Sequence, residues 1–145
     1  MKKLILSTVL AMGSYTSVAQ AAHVECLISG TATQQFWKAD MCGATANTPR
    51  PGVAFRFVAD KPVQEVTWSH SASNSGIWRC NTSTYCSFSE DGRYGKDFIS
   101  DATACVTRVL YQDGTWESNN YCATGIYDKR YNDFPFNSSA PAVQQ

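Results

Sequence analysis

All six cysteines of this 145-residue chain, Cys26, Cys42, Cys80, Cys86, Cys105 and Cys122, lie downstream of a leader-like N-terminus. Met1-Lys2-Lys3 gives a basic start, Leu4 to Met12 an apolar run too short to span a bilayer, and Ala19-Gln20-Ala21 an A-x-A cleavage signal. Cleavage after Ala21 leaves a chain beginning at Ala22, and an even cysteine count in an exported chain reads as three disulfides. The expected location is therefore secreted or periplasmic. No C-x-x-C is present, so neither a thioredoxin-like redox pair nor a haem-attachment motif is available.

Composition excludes several functions. Without Lys2 and Lys3 the 12 basic residues fall to 10 against 12 acidic ones, a formal charge of −2. That balance suits neither a nucleic-acid backbone nor an anionic membrane surface as the main partner. Nothing apolar after the leader is long enough for stable membrane insertion.

Short runs rich in β-branched and aromatic residues recur between Gly, Pro, Asn, Ser and Asp clusters: Glu25–Ser29, Gln34–Trp37, Val53–Val58, Val63–Ser69, Ile77–Cys80, Tyr85–Ser89, Ala104–Tyr111 and Thr115–Tyr121. No downstream stretch keeps an apolar period of 3.6 over three turns. This pattern predicts one all-β domain over residues 22–136, a disulfide-braced antiparallel β-sandwich of immunoglobulin-like or small-barrel form. Residues 137–145 read as a mobile tail, because apolar patterning stops after Phe136.

Asp113-Gly114 sits between two β-rich runs and signals a two-residue hairpin turn of type I′. Gln112 then opposes Thr115, Tyr111 opposes Trp116, and stepping outward Cys105 opposes Cys122. The alternation puts that cysteine pair at a close, non-hydrogen-bonded position suited to a cross-strand cystine. The same alternation predicts that the face carrying Cys105, Val109 and Trp116 is the more buried one. A type I turn with a bulge at Gly114 is the competing geometry and shifts the register by one. Cys80 and Cys86 enclose five residues and suit a tight loop closed by its own cystine, which leaves Cys26 for Cys42.

Ser100-Asp101-Ala102-Thr103-Ala104-Cys105 resembles the approach to strand F of an immunoglobulin domain, where an Asp, an Ala, a Tyr and a core Cys follow in order. Thr103 stands in place of the Tyr. The likeness implies a sandwich, and an inter-sheet bond through Cys105 that conflicts with the hairpin register.

Chemistry is harder to find. Of the two histidines, His23 lies close to the new N-terminus, where chains fray, and His70 lies in Trp68-Ser-His-Ser-Ala-Ser-Asn-Ser-Gly-Ile-Trp78. A Ser/His/Asp arrangement around His70 would make a small hydrolase, yet no G-x-S-x-G elbow or zinc helix accompanies it. Glu65, Glu90, Asp97 and Glu117 are potential glycosidase carboxylates, but no spacing selects a pair. Glu90, Asp91, Asp97 and Asp101 crowd one segment without the alternation of a calcium loop. Arg50, between Pro49 and Pro51, heads a stiff loop of the kind an inhibitor or toxin-like effector presents. No cofactor or metal motif is complete, and none is called for.

Trp68 and Trp78 flank a loop rich in Ser and Asn, with Trp37, Tyr85 and Tyr94 also available. Flat rings beside hydroxyls and amides suit both sugars and protein surfaces. The sequence therefore predicts a non-enzymatic binding module that recognises a protein surface or a glycan through loops, with Trp68, His70, Asn74 and Trp78 as the ligand-binding residues.

Overall fold

The computed structural model describes residues 21–93, 95 and 97–131; residues 1–20, Tyr94, Lys96 and residues 132–145, which take in the expected leader up to residue 20, the last residues of the expected domain and the expected tail over 137–145, lie outside the described residues. Alternation of apolar and polar side chains gives each longer strand one inward face, and two such faces meet. The strands are β1 (His23–Ser29), β2 (Lys38–Ala39), β3 (Met41–Ala46), β4 (Gly52–Val58), β5 (Val63–Ala72), β6 (Gly76–Cys80), β7 (Tyr85–Glu90), β8 (Phe98–Tyr111) and β9 (Trp116–Lys129); no helix occurs among the described residues.

One sheet has the order β2-β1-β4-β7-β6 and the other β3-β9-β8-β5. Apart from β2 and β3, this is the strand order of an immunoglobulin constant sandwich, with β8 in the place of strand F. The sandwich departs from the expected antiparallel pattern at one edge, because β3 runs parallel to β9 from Met41 opposite Thr124 to Ala46 opposite Lys129.

The inner faces are complementary in size. Val24, Ile28, Val53, Phe55, Phe57 and Phe88 of the first sheet are buried, and the second sheet answers with Ala102, Ala104, Val106 and Ala123. At Gly125 the approach is close enough that a Cβ would sit 2.5 Å from Val53 Cγ1 and 3.0 Å from Ile28 Cδ1. Small residues on β8 and β9 thus make room for large ones on β1 and β4.

Three cystines brace this core: Cys26–Cys42, Cys80–Cys86 and Cys105–Cys122, with Cα atoms 5.7, 4.3 and 4.0 Å apart. They join the same cysteines as the spacing argument. Cys26–Cys42 links β1 to β3 and so ties one sheet to the other. Cys80–Cys86 and Cys105–Cys122 each cross a hairpin between directly opposed residues.

The β8–β9 turn differs from its expected form. The Gly114 N–H donates to the Tyr111 carbonyl at 2.9 Å, the Tyr111 N–H donates to the Thr115 carbonyl at 2.9 Å, and Gly114 alone in the turn has positive φ, +83°. This is a three-residue loop with a glycine bulge, and it shifts Leu110 opposite Trp116. A second irregularity restores the register: Arg108 faces Ser118 but Val106 faces Tyr121, so Asn119 and Asn120 together oppose Thr107. Two shifts cancel, and Cys105 meets Cys122. The inward parity of β8 also changes there. Ala102, Ala104 and Val106 point inward on one side, Val109 and Tyr111 on the other. The expected buried face is therefore split: Val109 is buried, Cys105 lies on the outer face, and Trp116 is 49% exposed beneath the Arg108 guanidinium.

Gln34–Trp37, expected as a strand, is irregular. Trp37 instead receives the Arg56 guanidinium, 4.6 Å above its ring.

Candidate functional site

The last strand of one sheet, β5, and the last of the other, β6, are edges on the same side of the sandwich. Trp68 and His70 stand opposite the inward-facing Val106 and Ala104, and Trp78 stands opposite inward-facing Phe88. Inward side chains at two open edges meet at the margin of the core instead of inside it. His70 stacks on Trp78 with ring centres 4.3 Å apart and planes 16° apart. Behind Trp78 lie Phe88, at 4.8 Å, and Phe55, at 6.1 Å. The seam is thus an aromatic column from the core to solvent, with His70, an exposed residue, outermost.

Trp68 is half-buried, and its indole N–H donates to the Ser83 carbonyl at 2.9 Å. Two residues back along β5, the Val66 N–H donates to the Thr82 carbonyl at 2.9 Å. The 81–84 loop, closed by Cys80–Cys86, is held against β5 by these two bonds. Between loop and strand lies a cleft of about 390 Å³ lined by Val66, Thr67, Trp68, His70, Cys80, Asn81 and Thr82. None of these carries a formal charge apart from a protonated His70. The cleft offers ring faces, hydroxyls, an amide and backbone, which suits stacking and neutral hydrogen bonding.

The structure gathers Trp68, His70 and Trp78 but not Asn74. Asn74 is buried at 7% exposure, and its amide donates to the Ser100 hydroxyl. It closes the β5–β6 connection from within and is not among the residues that line the cleft. Trp78 is also not a free platform, since its outer face is under His70.

Several of the other sequence candidates have structural partners. His23 is held in β1 and meets Glu25 at 3.2 Å. Among the described residues no serine hydroxyl or carboxylate hydrogen-bonds the His70 ring. Glu90 is buried against Lys129 and Tyr127. Asp91 accepts from Ser75 at 2.7 Å and pairs with Arg93; the Ser75 bond, ahead of Arg93, holds its carboxyl below the usual aspartate range. Glu117 accepts from the Tyr111 hydroxyl at 2.5 Å and from Tyr121, and these bonds lower its pKa. Arg50 lies along the β7–β8 connection: a Cβ at Gly92 would be 3.0 Å from its Cγ. Sequence reading missed a second cleft of about 510 Å³ beside β3, where Thr33, Gln35, Thr45, Asn47 and Arg130 meet, because β3 itself was not foreseen. Arg130 is already paired there with Asp128, at 2.7 Å.

Fold and seam together define a disulfide-braced all-β sandwich with an uncharged aromatic margin between its sheets. No family model, curated protein or solved structure matches the chain.

Proposed function

We propose that this chain is an exported, non-enzymatic binding module that takes a protein surface or a glycan at the β5–β6 seam. One observation carries the reading: an exposed imidazole stacked on a tryptophan, beside a neutral cleft with ring faces and hydroxyls. A ring column anchored on Phe55 and Phe88 is rigid, so little order is lost when a ligand packs on it. The leader-like N-terminus and the three cystines support export to an oxidising compartment, periplasmic or extracellular.

The test is a screen of the purified protein against glycans and extracellular proteins, repeated with His70→Ala and Trp68→Ala. A ligand whose binding falls at least about tenfold in either variant, with the fold intact by circular dichroism, supports the seam. A ligand bound equally by wild type and both variants places recognition elsewhere.

A further inference from the structure

A sheet edge exposes a row of N–H and C=O groups, and sequences protect such edges with charge, proline or brevity. Three of the four edges seen here are managed. β2 has two residues, β6 ends in the Cys80–Cys86 cystine, and β3 is bridged by Thr31 at Ala46 and tied to β1 by Cys26–Cys42. β5 is different. It has ten residues, and Trp68-Ser-His-Ser-Ala72 contains no Lys, Arg, Asp, Glu or Pro.

The direction of its backbone groups follows from the ladder. The Ser73 N–H donates to the Asp101 carbonyl at 3.0 Å, continuing the register in which Ala72 faces Ala102. In an antiparallel pair such groups alternate, so Ser69 and Ser71 also turn theirs to β8, while Trp68, His70 and Ala72 turn theirs outward. The outward N–H of Val66 is taken by Thr82, and no described residue takes those further along. Ser69, His70 and Ser71 are exposed.

The open stretch is complementary to itself. Stepping away from His70 in both directions gives Ser and Ser, then Trp and Ala. In an antiparallel pairing across a two-fold axis through His70, Ser69 faces Ser71 of the other copy and bulky Trp68 faces small Ala72. No like-charged side chains of permanent charge are opposed, and a two-fold contact closes on itself. We propose that a second copy of this chain pairs with Trp68–Ala72, edge to edge, joining two four-stranded sheets into one through about six backbone hydrogen bonds. The inference goes beyond the recognition reading and requires only the backbone edge. A ligand at the seam and a second copy at this edge would compete.

The experiment is sedimentation velocity of the purified protein from about 1 to 200 µM, where weak edge contacts become populated. The expected result is a reversible monomer–dimer equilibrium. Ala72→Pro removes an outward N–H and leaves the β8 ladder whole; His70→Lys sets two positive charges on the axis. Each should raise the dissociation constant at least about tenfold with unchanged circular dichroism. Amide exchange at Trp68, His70 and Ala72 should also slow with concentration in the wild type, while that at Ser69 and Ser71 should not. A monomer over the whole range overturns the proposal, as does a dimer that both variants retain. Should Ala72→Pro fail to fold, the exposed His70→Lys and the exchange pattern decide.

Discussion

Lys129 and Glu90 form an ion pair across the two sheets in which neither side chain has any exposed surface. Tyr127 completes it, its hydroxyl donating to the other Glu90 oxygen at 2.7 Å, and burial, followed by the Glu90 contact, raises the tyrosine pKa. Lys129→Met should leave a buried carboxylate without its cation and cost about 3 to 5 kcal/mol. The double variant Lys129→Met/Glu90→Leu should recover much of that loss. Urea denaturation of wild type, both single variants and the double variant checks this, and losses that simply add would show that the pair is not coupled.

Trp78 and His70 separate packing from recognition. Trp78→Ala opens a cavity against Phe55 and Phe88 and should cost about 3 kcal/mol. His70→Ala leaves the tryptophan in place and should cost under about 1 kcal/mol. Thermal melts of both variants give the comparison; similar losses would mean that His70 is part of the core.

Glu117 gives the sandwich an acid-sensitive end. Its folded pKa lies below the ordinary glutamate value of 4.5 because Tyr111 and then Tyr121 donate to it, outweighing the desolvation that raises it. A lowered folded pKa contributes stability above the unfolded value and loses it as pH falls through the folded one. Glu117→Gln should therefore be less stable than wild type by about 1 to 2 kcal/mol at neutral pH. The gap should narrow as pH drops below 4.5. A gap that is constant with pH would remove the carboxylate from the explanation.

Gly125 lets β9 approach the opposite sheet closely. Gly125→Ala places a methyl against Val53 and Ile28 and should cost about 1 to 3 kcal/mol. Pairing it with Val53→Ala should relieve part of the loss, and chemical denaturation of the single and double variants shows whether it does.

The legible parts of this fold were local. Alternation in Val53–Val58 marks β4 correctly because one strand carries its own signal. Cys105 and Cys122 find one another in the sequence because their separation suits a hairpin, although the turn and the Asn119–Asn120 bulge each move the register by one and only their sum is neutral. β3 was illegible: Met-Cys-Gly-Ala-Thr-Ala has little β-branched character, and its partner β9 is some eighty residues away and parallel. The seam was half legible. Trp68, His70 and Trp78 stand out by composition, but their meeting depends on β5 and β6 being edges of different sheets, which no local pattern encodes. Asn74 has the composition of a loop contact, and only the backbone path turns it toward Ser100.

The parallel pairing of β3 with β9 also sets how the domain answers a mechanical pull. A load entering at the N-terminal end reaches β3 through the Cys26–Cys42 cystine, and a load leaving by the C-terminal end draws on β9. Because the two strands run the same way, these pulls oppose one another along the strand axis. The ladder is strained in shear, many bonds at a time, instead of being peeled open one by one. The chain enclosed by each cystine is out of reach of that extension while the bond is intact, so reduction would lengthen the molecule's stretched form and remove the link that carries force into β3.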